Sequence, residues 1–388
     1  MRTKVLAFST LLGMSMLPLQ AFAHGEAAEA QTNGTVSMSL FIGVSLLFIL
    51  FFGLYLLMKS KAKNLHNAKK QEDRQKRLQF SKAQRLYRWG WIASLVGALI
   101  TGSTYLLSSG QTEIVMDDIH GLSYSKDGKS ILVPAHDGIP SYADGHWAML
   151  EGERNDYMGF SAVDDGFYSS GHPPQGSDKK NPLGIVKSTD EGKTLQSLDL
   201  YGQADFHVMA AGFQSHAIYV INMQPNSRMD APGLYVTTDE AKTWKKGEMK
   251  GITEEPLVLA AHPTNEAIVA IGTATGVYLS KDYGNSFEKI MSNGQATSLS
   301  FNNQGVLFIG GYTQSAYLQK YDIDTKKTED IKIPVLQEDA VAFLAQNPLD
   351  ENSLVFATYK KDVYLSTTKG AQWTQIAQAG KGISQKAE

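Results

Sequence analysis

Short runs of β-branched, aromatic and other apolar residues, bounded by turn residues, fill the chain from about residue 110 to residue 379. Six of these runs occupy matching positions: 119–123, 157–161, 206–210, 256–260, 296–300 and 341–345. A second apolar run follows most of them, as at 217–221 and 354–358. Runs of this length and composition are typical of β-strands. The pattern therefore predicts an all-β domain made of about six similar units.

A polar phrase recurs within these units and gives them a period. It reads Ser/Thr-x-Asp-x-Gly-x-Thr-aromatic, and its copies start at residues 188, 237, 280 and 366. Degraded copies at 142–147 and 321–328 fill the gaps. A period in the low forties is the size of a four-stranded propeller blade. The phrase thus predicts a β-propeller of about six blades, with a seventh blade or a strand-swapped closure left open.

Each phrase has a mechanical reason, because Asp accepts hydrogen bonds from nearby amides and Gly supplies the positive φ of the turn. The aromatic residue is expected to pack into the blade behind the hairpin. The residues to which we assign this structural role are Asp190, Gly192, Asp239, Trp244, Asp282, Gly284, Gly370 and Trp373.

The N-terminal third has a different pattern. Residues 1–23 have a basic start, an apolar stretch and a small-x-small end, which is typical of a cleaved secretory signal, with an uncleaved helix as the alternative. Two uncharged segments, 36–58 and 89–107, are each long enough to cross a membrane. The predicted organisation is a signal peptide (1–23), a short extracytoplasmic segment (24–35), a transmembrane helix (36–58), a basic cytoplasmic loop (59–88), a second transmembrane helix (89–109), the propeller (110–379) and a disordered tail (380–388).

Charge orients this arrangement. The loop 59–88 contains eleven Lys and Arg against two acidic residues, and basic loops stay in the cytoplasm. The propeller is then expected outside the cytoplasm of a multi-pass membrane protein. Nucleic-acid binding is the alternative use of a basic segment, but topology accounts for the charge without a further assumption, so we expect no nucleic-acid partner.

Composition narrows the function of the propeller. Residues 110–388 contain 23 basic and 35 acidic residues, a net charge of −12, which suits cations or polar solutes and disfavours polyanions. The chain has no cysteine, which excludes disulfides, thiolate metal sites and cysteine nucleophiles. A domain of this length can bury its own core without such covalent links.

The recurring phrase resembles the Asp-box, or bacterial neuraminidase repeat, of sialidases, the sortilin N-terminal domain and photosystem II assembly factors. The motifs Asp118-Ile-His-Gly-Leu, Ala135-His-Asp-Gly and Ser170-Gly-His-Pro look like those of uncharacterised bacterial membrane-anchored Asp-box proteins, which are labelled glycosyl hydrolases by similarity. The resemblance implies the propeller fold and the membrane anchor. It implies little about activity, because the box lies on an outer turn of the blade.

The resemblance raises glycoside hydrolysis as one alternative. Sialidases hold their substrate carboxylate with three arginines, but residues 110–388 contain only Arg154 and Arg228. Lysine does not replace the bidentate geometry of arginine, so the sialidase mechanism is excluded. A different glycosidase needs two facing carboxylates, and nothing in the sequence selects a pair. We predict no catalytic residues and keep a non-sialidase glycosidase as an alternative.

Histidine and methionine align in the first three units. The first runs place three of them at one position: His120, Met158 and His207. The second runs place three more at another: His136, His172 and Met223. A carboxylate lies two residues before each member of the first row, on the same strand face: Asp118, Asp156 and Asp205. These residues predict a metal site on one half of the central channel, for copper or another late transition metal.

Two other interpretations stay open. Histidines in strands are often hydrogen-bonded structural residues, and Asp-x-His pairs can link one blade to the next. Insertions at 173–182 and 224–232 are expected to wall the channel mouth, where an unknown protein or small ligand would bind. The sequence therefore predicts a binding module, with a protein-interaction scaffold for an envelope process as the alternative to metal binding.

Overall fold

The structure, a computed structural model, describes residues 27–67, 69–108 and 114–384. The chain divides into two compact units, and the boundary along the sequence lies between residues 112 and 113. The predicted signal peptide (1–23) lies outside the described residues. So do residues 24–26 of the predicted extracytoplasmic segment and residues 385–388 of the predicted tail.

The first unit contains two helices that pack against each other, α1 (Ala27–Asn64) and α2 (Gln71–Ser108). Phe48, Phe52 and Tyr55 of α1 surround the Trp91 ring of α2. Among the described residues, one helical segment (Met38–Asn64, mean hydropathy 2.7) is long and apolar enough to cross a membrane by length and composition. The second predicted span lies in α2 as far as residue 108, and its last residue is outside the described part of the chain.

The basic segment 59–88 differs from the prediction of a loop. It continues α1 to Asn64 and begins α2 at Gln71, so only the residues between them leave the helices. The segment contains no Gly or Pro and is rich in Lys, Arg, Gln, Leu and Ala, which are good helix formers. Each helix has 38 residues and is therefore about 57 Å long, which is longer than the hydrocarbon core of a bilayer.

The second unit is a β-propeller of six antiparallel blades, as the period of the sequence predicted. Blade 1 contains β1 (Ser123–Tyr124), β2 (Ile131–Leu132), β3 (Pro140–Ala143) and β4 (His146–Met149). Blade 2 contains β5 (Asp156–Val163), β6 (Gly166–His172), β7 (Ile185–Ser188) and β8 (Gln196–Asp199). Blade 3 contains β9 (Met209–Ala211), β10 (Ile218–Asn222), β11 (Gly233–Thr237) and β12 (Lys245–Lys246).

The other three blades repeat this order. Blade 4 contains β13 (Val258–Ala261), β14 (Val269–Thr273), β15 (Gly276–Ser280) and β16 (Glu288–Met291). Blade 5 contains β17 (Gln295–Phe301), β18 (Val306–Tyr312), β19 (Ala316–Asp322) and β20 (Thr328–Ile331). Blade 6 contains β21 (Val341–Gln346), β22 (Leu354–Thr358), β23 (Val363–Ser366), β24 (Thr374–Gln378) and β25 (Lys381–Gly382). In every blade, consecutive strands are hydrogen-bonded neighbours.

The ring closes between blade 6 and the segment that precedes blade 1. Val115 pairs with Lys381, and the Met116 N–H donates to the Gly380 carbonyl at 2.7 Å. Residues 380–384 are therefore ordered, and the predicted tail boundary at 379 falls before the last strand. A hydrophobic cluster fills each of the six junctions between neighbouring blades, so the core of the propeller is a ring of inter-blade layers.

The recurring phrases form what we call the box turns, which follow the third strand in blades 2, 3, 4 and 6. In blade 2, Asp190 accepts hydrogen bonds from the Thr194 N–H and hydroxyl, and the Gly192 N–H donates to Ser188 Oγ. The same bonds recur around Asp239 and Asp282. Hydrogen bonds from Thr243 lower the pKa of Asp239 to about 2.

The box tryptophans contact the preceding blade rather than only their own. Trp244 Nε1 donates to Asp199 of blade 2 at 3.1 Å, and Trp373 Nε1 donates to the Lys332 carbonyl after blade 5 at 2.7 Å. The turns therefore fasten neighbouring blades together as well as closing a hairpin.

Candidate metal centre

The candidate ligands gather at one end of blades 1 to 3. His120 and His207 precede the innermost strands β1 and β9, and Asp156 begins the innermost strand β5. His136 follows β2, and His172 ends β6. Because consecutive strands are antiparallel, the start of a first strand and the end of a second strand lie at the same end of a blade. Two groups of three residues, which we call triads, lie at this end, so we call it the triad end. The box turns follow the third strands and lie at the opposite end.

The first triad joins blade 1 to blade 2. His120 Nε2 lies 3.4 Å from Asp156 Oδ1, and His136 Nδ1 lies 3.1 Å from Asp156 Oδ2. Pairing of Ile119 with Ala135 brings the two histidines beside each other. Asp156 is 8% exposed, and its buried Oδ1 accepts no hydrogen bond from the described residues. A buried carboxylate that faces two imidazoles without that bond is a costly arrangement unless a cation completes it.

The second triad joins blade 2 to blade 3. It takes one histidine from each side of the junction, whereas the first triad takes both histidines from blade 1. His172 Nε2 lies 3.2 Å from Asp205 Oδ2, and His207 Nε2 lies 2.7 Å from the same oxygen. The amide oxygen of Asn181 lies 2.6 Å from His172 Nδ1, so an N–H on Nδ1 would leave Nε2 free to ligate. In each triad, every pair of ligand atoms lies within 4.8 Å.

Blade 2 links the two triads. Asp156 of the first triad and His172 of the second are register partners in the β5–β6 pair. Gly171 permits this close approach, since a Cβ on it would lie 1.9 Å from the Asp156 carbonyl oxygen. The triads also interact electrostatically. Burial lowers the pKa of His120, and the charges of His207 and His136 lower it further, against the opposing effect of Asp156 and Asp118.

Three predicted ligands, Met158, Met223 and Asp118, are not members of the two triads as defined by their histidines and aspartates. Met158 is buried, and Met223 is 65% exposed beyond β10. Asp118 contributes its main-chain carbonyl to the His136 N–H at 3.1 Å. The two aligned rows therefore do not converge on one ion; four histidines and two aspartates divide into two three-residue groups.

A third group, which the sequence did not suggest, lies at the opposite end of the propeller. It consists of Asp164 and Asp165 in the first hairpin of blade 2 and His216 in the first hairpin of blade 3. Both His216 nitrogens are engaged, Nδ1 with the Tyr168 hydroxyl at 3.0 Å and Nε2 with Asp164 at 2.8 Å. Lys187 also contacts Asp165 at 2.8 Å. Asp165 Oδ1 is buried without a hydrogen-bond partner among the described residues, as Asp156 Oδ1 is, but both ring nitrogens of His216 already have partners. The group is therefore a useful control for the triads.

A central cavity of about 400 Å³ runs along the propeller axis. Five of the six positions that the repeat alignment matched line it: His120, His207, Leu257, Thr297 and Ala342. Asp156, Asp205, His136 and His172 do not line it. Each triad thus presents one imidazole to the cavity and keeps its carboxylate behind that imidazole. The alignment identified the inner wall of the channel correctly, except at Met158.

The two insertions border the triad end, where each follows the second strand of its blade. Main-chain amides tie both of them to the segment between blades 2 and 3: the Lys180 N–H donates to the Tyr201 hydroxyl, and the Ser227 N–H donates to Gln203 Oε1. Arg228, whose Nε lies 2.9 Å from Asp199, fixes the second insertion further. The insertions therefore form a rim beside the second triad.

No family model matches the chain, and no curated protein matches it. Solved structures of similar fold include a GH74 enzyme of Niastella koreensis (16% identity, 69% of this chain and 47% of that chain, TM-score 0.48). Others are YCF48 bound to D1 peptide (14%, 68% and 84%, 0.41) and a protein of unknown function from Bacteroides thetaiotaomicron (8%, 67% and 69%, 0.45). The chain spans about half the length of the Niastella enzyme. These are likenesses of fold alone.

Proposed function

We propose that the propeller binds divalent late first-row transition metal ions at the two triads. The observation that carries the proposal is that a His-Asp-His group recurs at two consecutive blade junctions, each with its carboxylate mostly buried between two imidazoles. Two imidazoles and one carboxylate form a donor set that proteins use for such ions, with further coordination positions left open. Two of the three ligands occupy equivalent positions in the two triads: a histidine at the end of a second strand (His136, His172) and an aspartate at the start of the next first strand (Asp156, Asp205). This partial recurrence makes chance packing a weaker explanation.

The donors also narrow the choice of metal. The proposed donor set contains imidazole nitrogen and carboxylate oxygen but no thioether sulfur, which is the soft ligand that suits Cu⁺. Nitrogen and carboxylate oxygen suit Zn²⁺ and Cu²⁺. Since affinities of a given site follow the Irving–Williams order, Cu²⁺ should bind more tightly than Zn²⁺. The structural alternative is that each aspartate simply hydrogen-bonds two histidines and links the blades.

Zinc stoichiometry separates these alternatives. We would titrate the full chain in detergent with Zn²⁺ against a chromophoric chelator, and we expect two tight equivalents. The variants His120→Ala and His207→Ala should each retain one, and the double variant should retain none. His216→Ala is the matched control, because His216 also lies beside two aspartates but both of its ring nitrogens already have partners. This variant should retain two zinc equivalents. Equal stoichiometry in the wild type and the double variant would exclude the proposal.

We further propose that the propeller is an extracytoplasmic domain of the Asp-box type, held at a membrane by α1 and α2. The apolar segment Met38–Asn64 and the excess of Lys and Arg in 59–88 support this arrangement. The repeated hydrogen bonds of the box turns support membership of the Asp-box class. The acidic propeller would then meet cations outside the cytoplasm.

A protein-interaction scaffold is the second candidate, and the rim of insertions at the triad end favours it. A photo-crosslinking residue at Ser177, on the rim, should then give a discrete adduct in intact cells. The same residue at Asn285, in a box turn at the opposite end, is the matched control and should give none. Equal labelling from both positions, or none from Ser177, would count against the scaffold.

A further inference from the structure

The central cavity adjoins both triads. His120 and His207 line it, one from each triad, while their carboxylate partners lie behind them. A metal ion held by three protein ligands keeps a coordination position for water or another ligand. With two such ions beside one cavity, a molecule in the cavity could supply a ligand to either of them. A volume of about 400 Å³ is within the range of small-molecule sites.

The charge of the cavity favours an anion. Its described lining contains no Lys, Arg, Asp or Glu, so without metal its wall is formally neutral apart from histidine. A divalent ion in each triad exceeds the single negative charge of that triad's aspartate. Metal loading would therefore make the triad side of the cavity positive, while the remaining wall combines apolar side chains, including Phe160, Val208 and Leu299, with uncharged polar groups. An organic anion with an apolar body matches both properties.

Thr297 points to a further feature of the ligand. It lies in blade 5, on the far side of the ring from the triads, and lines the cavity. The residue is 3% exposed, yet its buried Oγ1 has no hydrogen-bond partner among the described residues. An unsatisfied buried hydroxyl is unfavourable, so a ligand that offers it a polar group gains affinity.

We propose that the metal-loaded propeller binds a small organic anion in the central cavity, with its carboxylate on the triad metals and a polar group near Thr297. This inference rests on the proposed metal sites. It explains why each triad presents an imidazole to a cavity that has no other charge, and why a buried hydroxyl lies on the opposite wall without a partner.

The test uses the full chain in zwitterionic nanodiscs, loaded with Zn²⁺ or stripped of metal. The probe is 4-hydroxyphenylacetate, and its neutral counterpart is 4-hydroxyphenylacetamide, both measured by calorimetric titration. We expect the anion to bind the loaded protein at least about tenfold more tightly than the stripped protein, and about tenfold more tightly than the amide. Equal affinity in the loaded and stripped states would overturn the inference.

Two variants test the position of the ligand. Ala342→Phe fills the cavity from blade 6, away from the triads, and should abolish anion binding while both zinc equivalents remain. Thr297→Val keeps the side-chain shape and should lower the affinity for the anion by roughly tenfold at most. Anion binding that survives unchanged in Ala342→Phe would contradict the cavity as the site. If zinc binds and the anion does not, only this inference fails; if zinc itself does not bind at the triads, the proposed function fails first.

Discussion

His120 Nε2 lies 3.4 Å from Asp156 Oδ1, although the two residues belong to different blades. The carboxylate is 8% exposed, and this oxygen accepts no hydrogen bond from the described residues. Such a group lowers the stability of the metal-free protein, because water solvated it in the unfolded chain and nothing replaces that solvation fully. We therefore interpret the contact between His120 and Asp156 as part of a metal site.

Replacing this carboxylate separates a metal site from a structural link. Asp156→Asn removes the buried charge, so we expect metal-free protein to keep its stability or gain about 1 kcal/mol. Excess Zn²⁺ should raise the unfolding midpoint of the wild type more than that of the variant, since a ligand that binds only the folded state stabilises it. The measurement is urea unfolding followed by tryptophan fluorescence. A loss of several kcal/mol in the metal-free variant would instead identify Asp156 as a structural link.

A second prediction concerns pH and His262, far from the triads. The Thr264 and Asn265 N–H groups donate to His262 Nδ1 at 3.3 and 3.1 Å, which requires that nitrogen to be unprotonated. Burial lowers the pKa of His262 below its ordinary value of 6.5. The unfolded chain therefore takes up the proton first, and stability falls as the pH drops from above 6.5 towards the lowered pKa.

The variant His262→Asn should remove this contribution to the pH dependence. Asn347 occupies the equivalent turn of blade 6, where its Oδ1 accepts from the Leu349 N–H at 2.9 Å, so asparagine can close the turn without titrating. Unfolding midpoints at pH 7.5 and 5.5 give the comparison, and His146→Asn at an exposed position controls for the loss of one imidazole. A wild-type pH dependence in the His262 variant would refute the assignment.

The box turns provide a matched pair of glycines. Gly192 and Gly284 have φ values of 87° and 82°, so alanine strains both backbones similarly, by about 1 kcal/mol. A Cβ on Gly284 would lie 2.3 Å from Leu234 Cδ2, a fully buried side chain, whereas one on Gly192 finds nothing nearer than 3.4 Å. We expect Gly284→Ala to cost about 2–4 kcal/mol and Gly192→Ala about 1 kcal/mol in urea unfolding. Equal costs would contradict the packing of Leu234.

The absence of native cysteine makes the membrane arrangement directly testable. A single Ser177→Cys on the rim should react with a membrane-impermeant maleimide in intact cells. Ser81→Cys in α2 should react only after the membrane is permeabilised, because the basic segment is expected in the cytoplasm. Labelling of Ser81→Cys in intact cells would reverse the proposed orientation.

The six-blade architecture could be predicted from the sequence alone. The period and the box turns predicted six blades because both depend on neighbours along the chain, where turn chemistry acts directly. The helices through 59–88 could have been predicted too, since that segment lacks Gly and Pro. The alignment of first strands placed His120, His207 and Thr297 on the channel wall, although it gave no reason to single out Thr297.

What the sequence by itself determined was the repeated unit, its turns and the set of histidines at one end of three blades. The tertiary structure alone decided which of them meet. In each triad, the aspartate lies across a blade junction from at least one of its two histidines. The physical reason is that pairing within a blade follows from strand register. Contacts between blades depend on the twist of each sheet and the packing of neighbouring cores, and these are properties of the closed ring.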